Sequence, residues 1–404
     1  MTKPLVCVLI VVSCLGCLSC HSATAASFGP TTVQASSYPN LQAAIDAIPP
    51  TGGTLVIDGQ FPAAGQSCLE QTGLYGPCIF QRRNIRIRGD GVTSQIYAPN
   101  TLTNGLLILA SDLISVKGVE FVGPWSPGQA SGVGVAVRID AYGGTPTTRV
   151  TVANCRVHNF SFDGLWARNG TAQVHLLHNE SYGNQGNGIE VEAQNSTLLD
   201  NESHDNEHQG FEIYSGAQRL RVASNSAHNN LEGIKLIEDP EYATLSDIAI
   251  VGNSVMDNTD SGILYQPINA TAPPGGLVSV TGNVVTGNKT GINLIQAGSG
   301  FVVAHNVVAR NSLIDIYVSQ PDNVVISSNV LTVLPGSPLP NYGIYIQPGS
   351  GRVELNHNLL NNSATIPVWA PRSSPNTTRG PTSQPSQVCP GIGIPGAVRL
   401  NCNP

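Results

Sequence analysis

The 404-residue chain is predicted to fold as an all-β solenoid, a single-stranded parallel β-helix, on three observations. Asparagines recur in pairs five apart, at Asn154/Asn159, Asn179/Asn184, Asn201/Asn206, Asn225/Asn230, Asn253/Asn258, Asn283/Asn288 and Asn306/Asn311, with first members 22 to 30 residues apart. Period-two alternation of apolar and polar residues flanks the pairs. The composition, with 43 Gly, 11% charged residues and 5% aromatics, suits short strands and tight turns rather than charged helices. A drifting period of this size marks units that cannot bury their own apolar faces and must stack, so one domain of about ten or eleven coils is expected over residues 27–368.

One coil is legible in Val280-Thr281-Gly282-Asn283-Val284-Val285-Thr286-Gly287-Asn288-Lys289-Thr290-Gly291-Ile292. Short strands flank Asn283 and a third begins at Gly291. Stacking would bring equivalent side chains about 4.8 Å apart. Asn tolerates left-handed backbone angles, and its amide can bond the Asn above and below, so the pairs read as scaffold.

Residues 1–26 read as an export leader, with Lys3, an apolar run from Leu5 to Leu18 and an A-x-A site at Ala23-Thr24-Ala25. Val11-Val12-Ser13-Cys14 leaves a lipid anchor as the alternative. No other stretch reads as a membrane span, so a secreted, periplasmic or cell-surface protein, expected as a monomer, follows. Cys7, Cys14, Cys17 and Cys20 fall in the leader. Cys68/Cys78 and Cys389/Cys402 bracket local loops and suit two disulfides in an oxidising compartment, whereas Cys155 reads as a buried free thiol.

Asn40 is a plausible N-cap for a short helix with an apolar stripe of Leu41, Ala44, Ile45 and Ile48, placed to cap the open end of the stack ahead of the strand Thr54-Leu55-Val56-Ile57. Early coils carry Gly89 and Gly118 where later coils carry Asn. The pattern frays after Asn311, and residues 369–404 read as a Pro/Ser/Thr-rich tail with a small disulfide loop. A net charge of −7 argues against nucleic acid as a partner.

These asparagine-ladder coils resemble the right-handed parallel β-helix proteins of the pectin-lyase-like superfamily, over roughly residues 36–365. The resemblance implies a right-handed coil in which the strand starting at Gly is the first and substrates lie along the first-strand sheet. The superfamily holds polysaccharide lyases, glycoside hydrolases, epimerases, tailspikes and noncatalytic proteins, so function must be read from the site.

Aligning the Gly positions places Trp166, Glu190, Glu212, Lys235 and Leu264 in one outward column, and Arg168, Glu192, Tyr214, Ile237 and Gln266 in the next. Stacked carboxyls raise one another's pKa and can supply the acid and base of glycosidic cleavage. Glu190, Glu192, Glu212 and Lys235 are therefore the expected catalytic residues. Trp166, Arg168, His208 and Tyr214 are the expected sugar contacts. The carboxylate trio could instead hold calcium, with Lys235 as base for β-elimination. A bland reading also exists, a solvated sheet whose Lys and Arg balance the Glu ladder.

Named activities fit incompletely. Asn258-Thr259-Asp260 resembles a polygalacturonase element, but no Asp-Asp follows, and His208-Gln209-Gly210 and Gly233-Ile234-Lys235 come in the wrong order. Glu190-Val191-Glu192 resembles the Glu-x-Glu of calcium-dependent lyases without a Lys on the same strand. The expected function is cleavage of an acidic, uronate-containing polysaccharide by elimination or hydrolysis. The rival is a noncatalytic glycan- or partner-binding β-helix.

Overall fold

The computed structural model describes residues 31–64, 67–69, 73–91, 93–268, 276–298, 300–332, 342–347, 352–361, 366–369 and 377–379. Among them, alternating segments form three long parallel sheets of 14, 12 and 12 strands, each strand pairing with its equivalents one coil before and one coil after. A single coil visits each sheet once. Thr171–Leu177 lies in the second-strand sheet, Glu180–Tyr182 in the third and Ile189–Val191 in the first. Inward residues such as Val174, Leu176, Ile189 and Val191 join a continuous apolar core that runs from Val33 to Leu360. The fold is thus the expected parallel β-helix.

The N-terminal helix forms as its pattern predicts. Leu41–Asp46 is helical, the Asn40 side chain accepts the Ala43 N–H at 2.9 Å, and Leu41, Ala44, Ile45 and Ile48 are buried. Gln42 binds both backbone groups of Cys78, at 2.7 and 3.1 Å, and so satisfies the outermost strand of the first-strand sheet.

Two asparagine ladders hold the bends. In the first, Asn179, Asn201, Asn225, Asn253, Asn283, Asn306, Asn329 and Asn358 each offer Oδ1 to the backbone N–H of the equivalent residue one coil earlier. The side-chain N–H groups reach both ways. Asn225 Nδ2 donates to Asn253 Oδ1 at 3.0 Å and to the Leu198 carbonyl at 3.1 Å. The second ladder runs from Asn184 to Asn311 in the same manner.

The ladders correct the sequence reading of the first pair. Cys155 N–H and Phe160 N–H donate to Asn179 and Asn184, so Cys155 and Phe160 hold the rung positions and Asn154 and Asn159 stand one residue early. The left-handed backbone belongs to that earlier position. Asn154 has φ 51°, His178 54° and Asp205 54°, and Gly118, at 66°, is equivalent to Asn154; among the described residues no rung from Asn179 onward has a positive φ. Asn is chosen at the rung for its amide, and at the preceding position for its backbone.

Cys155 is a buried free thiol as expected, and burial pushes its pKa up to about 11. The side chains of Cys68, Cys389 and Cys402, needed for the expected disulfides, lie outside the described residues, as does the leader. No helix among the described residues is long and apolar enough to cross a membrane. His204 lies on the third-strand sheet in a stack of rings with His158, Tyr182 and His228, with neighbouring centroids 4.8, 5.1 and 4.9 Å apart.

The glycine that starts each first strand has a steric cause. A Cβ at Gly188 would stand 1.9 Å from Ser203 Oγ and 2.8 Å from Asn206 Nδ2. Asp315 occupies the equivalent position at the end of the second ladder, where its Oδ1 accepts from Asn311 Nδ2 at 2.9 Å and its Oδ2 has no partner among the described residues.

Asn225→Ala would leave the Asn201 N–H groups and the Leu198 carbonyl without their partners inside the stack. A loss of roughly 3 to 5 kcal/mol is expected in denaturant unfolding. Asp315 supplies a pH test. Burial raises its pKa from 3.8 to about 8, against the opposing hydrogen bond from Asn311. The folded chain therefore binds this proton more tightly than the unfolded chain. Its stabilising contribution is whole below the unfolded value and drains away as pH rises towards the folded one. The melting temperature should fall between about pH 5 and about pH 8, and fall less in Asp315→Asn.

Candidate functional site

The register places the expected column as read. Arg138, Trp166, Glu190, Glu212, Lys235 and Leu264 are successive partners across the first-strand sheet. The column is not the solvated surface of the bland reading. Glu190, Glu192 and Glu212 are only 7%, 5% and 9% exposed.

A second row, missed in the sequence, meets this column. The residues immediately before the first-strand glycines are Asp163, Asn187, Gln209 and Glu232, all buried. Asn187 Nδ2 donates to Glu190 Oε2 at 3.1 Å and to Glu212 Oε2 at 2.6 Å. Its backbone N–H donates to Asp163 Oδ1 at 2.7 Å, and its Oδ1 accepts the Gln209 N–H at 3.2 Å. Gln209 in turn donates to Glu232, whose Oε1 lies 3.8 Å from Lys235 Nζ. Reading the residue before each Gly as a column of its own would have found this row.

Asp163, Glu190 and Glu212 form a chain of three carboxyls linked through Asn187, whose backbone N–H binds Asp163 and whose amide binds Glu190 and Glu212. Carboxyls gathered in this way repel one another unless one keeps a proton. Burial, then the charges of Asp163, Glu212 and Glu192, hold Glu190 well above the usual carboxylate range. Glu212 is raised by burial, but Lys235, the Asn187 amide and His208 act in the opposite direction. Both carboxyls are thus raised, but Glu190 has only acidic groups adding to the effect of burial while Glu212 has a lysine and an amide opposing it.

The remaining expected residues frame this chain. Trp166 is half-buried, with the Arg138 and Arg168 guanidiniums 4.6 and 4.8 Å from its ring centroid, and its Nε1–H donates to Glu192 Oε1 at 3.1 Å. Asp140 Oδ2 accepts from both arginines, at 3.0 and 3.1 Å. Burial raises the Glu192 pKa against the Asn169 N–H, Arg168 and Trp166. The ring is thus already engaged by cations. Tyr214 donates its hydroxyl to Asp239 Oδ2 at 2.6 Å and meets Tyr242 edge-on at 5.8 Å. It ends the strand Gln209–Tyr214 and is tied by its hydroxyl to the loop after Glu238. His208 is exposed at the margin nearest Glu212.

Among the described residues no three His, Cys, Asp or Glu side chains are arranged to hold a metal ion. Glu190 and Glu212 each have one oxygen committed to the Asn187 amide. Asn258 of Asn258-Thr259-Asp260 is a rung of the second ladder, and Asp260 pairs with Lys289 at 3.0 Å.

The family profile described as right handed beta helix region matches residues 95–248 and 144–308, more than half of the chain. The profile of the periplasmic copper-binding protein NosD matches residues 241–378, beyond the carboxyl chain. No curated protein matches in sequence. Among solved structures, the A-module of mannuronan C-5 epimerase AlgE6 from Azotobacter vinelandii has a TM-score of 0.68 and 18% identity, over 88% of this chain and 100% of its own. DFA-IIIase from Arthrobacter chlorophenolicus A6 has a TM-score of 0.62 at 12% identity, covering 90% and 99%. The Dettilon tailspike protein has 0.60 at 13%, covering 92% and 68%. At these identities the likeness is one of fold.

Lys235→Met would remove the cation that most favours ionised Glu212. The Glu212 carboxyl is then expected to titrate at a higher pH than in the wild type, read by NMR of carboxyl-labelled protein.

Proposed function

The chain belongs to the right-handed β-helix family, and from its buried carboxyl chain we propose that it is an exported enzyme that hydrolyses glycosidic bonds in an acidic polysaccharide. The observation that carries this reading is the juxtaposition of Glu190 and Glu212 on one Asn187 amide, where burial raises both carboxyls, acidic neighbours raise the first further and Lys235 opposes the rise of the second. Glycosidic hydrolysis needs that pair: an acid to protonate the leaving oxygen and a base or nucleophile for the other face of the sugar. Glu190 serves as the acid and Glu212 as its partner. Glu192 anchors Trp166 and the Asn169 backbone beside them.

Arg138, Arg168 and Lys235 provide the cationic surroundings that suit a uronate, and Trp166, Tyr214 and His208 line the approach. Lys235, ion-paired to Glu232, is better placed to offset charge than to abstract a proton, which favours hydrolysis over β-elimination. Fold likeness to an alginate-related epimerase and to tailspikes supports a glycan as the partner, and the periplasmic NosD profile supports an exported location. That same profile match favours the second reading, a β-helix that binds without turnover.

Incubation with pectic, alginate and glycosaminoglycan substrates, with and without EDTA, separates the readings. New reducing ends without ultraviolet absorbance from an unsaturated uronide are expected, unaffected by the chelator. Glu190→Gln and Glu212→Gln should each lower the rate by roughly 100-fold or more. Full activity in both variants would remove the site from consideration, and binding without product would establish the second reading.

A further inference from the structure

We propose that Asp163 is a positioning residue that keeps the catalytic proton on Glu190, the two side chains acting as one proton-sharing pair with Asp163 beneath and Glu190 at the cleft. The proposal deepens the reading of Glu190 as general acid, and its test needs no substrate.

Asp163 is 1% exposed, so a sugar cannot touch it and any effect on chemistry must pass through a neighbour. Its Oδ1 is committed to the Asn187 N–H at 2.7 Å. Its Oδ2 is buried and receives no N–H or O–H from the described residues, although a buried carboxylate oxygen without a donor is costly. Its neighbour one coil further along is the Glu190 carboxyl, as Glu212 is for Asn187 in the next position of the row, and Asn187 binds both Asp163 and Glu190. Two ionised carboxylates in that position would repel across a gap that holds no donor. One carboxyl and one carboxylate sharing a proton satisfy both oxygens.

The surrounding groups decide where the proton resides. Arg138 acts on Asp163, Arg168 on Glu192, and Lys235 and His208 on Glu212, each favouring the ionised form of its carboxyl. The groups that act most strongly on Glu190 are Asp163, Glu212 and Glu192, all acidic. Glu190 is therefore the member that carries the proton, and Asp163 the anion that holds it there. When Glu190 gives this proton to the leaving oxygen, a second negative charge appears beside Asp163. That charge favours prompt recovery of a proton from the water consumed in hydrolysis, which restores the pair.

The test is a pH titration, by NMR, of protein labelled at the Asp and Glu carboxyl carbons. Asp163→Asn keeps the acceptor for the Asn187 N–H and puts an N–H donor where the shared proton was. Glu190 is expected to titrate roughly 1 to 2 pH units lower than in the wild type. Glu190→Met, a change nearer the surface, removes the donor that faces Asp163, so the Asp163 titration should move up, whereas Glu190→Gln keeps a donor and should hold it lower than Glu190→Met does. An unmoved Glu190 in folded Asp163→Asn, or an unmoved Asp163 in Glu190→Met, would overturn the pairing. If Asp163→Asn does not fold, the comparison of Glu190→Met with Glu190→Gln alone decides. On a polymer that the wild type cleaves, the alkaline limb of the Asp163→Asn pH profile should move to lower pH with KM little changed. Absence of cleavage on every polymer would count against the hydrolase reading and leave the titration result standing.

Discussion

The structure depends on how the buried backbone at its bends is satisfied. A chain that turns three times within each coil leaves N–H and C=O groups at its two ladder bends between coils, away from water, where each unpaired group costs about as much as a lost hydrogen bond. The asparagine amide answers with one acceptor and two donors. Asn225 illustrates the closure: its oxygen takes the Asn201 N–H at 2.9 Å while its amide nitrogen reaches the coils on either side. Because rung binds rung, coils of 22 to 30 residues stack in the same register, and the difference is taken up elsewhere in the coil. Insertions change the loops and leave the columns in place.

That constraint lets the site exist. Three carboxyls brought together by tertiary packing alone would be driven apart by repulsion and by the cost of leaving water, which amounts to several kcal/mol per unpaired buried ion. Here the backbones carrying Glu190 and Glu212 are paired strands fixed by the second ladder at the bend that leads into them, and cannot separate. The side chains respond instead by retaining protons and by gathering Asn187 between them. The raised pKa values are a consequence of a rigid scaffold holding like groups in contact.

This division also explains what was legible in the sequence. The fold was, because the ladder repeats and the apolar alternation keeps step with it. The error at Asn154 and Asn159 arose because Asn suits two adjacent positions for different reasons, a left-handed φ and a rung amide, and a pair shifted by one residue has the same internal spacing. The outward column was legible once Gly set the register. The row of Asp163, Asn187, Gln209 and Glu232 was not, because alternation counted forward from Gly leaves out the residue before it. Burial was the least legible property. A run of Glu on alternate positions has the pattern of a solvated face, and whether loops and neighbouring side chains cover it is not encoded in a period of two.

The outward column changes character along the stack, and the change bounds the chemistry. From Arg138 through Trp166, Glu190 and Glu212 to Lys235 it is cationic, aromatic, acidic and cationic again, over four coil steps or about 19 Å, a span comparable to several sugar rings. Beyond Lys235 it continues as Leu264, which is 3% exposed, and Asn293, whose amide binds Ser261 at 3.2 Å, then Tyr317 and Tyr345. No charge is presented there. The NosD profile begins at residue 241, after the last charged member of the column, so it follows the ladders and not the carboxyls. Likeness in that half of the molecule concerns the scaffold. The charged departures from the repeat lie in the earlier coils, where an unvarying register displays them side by side.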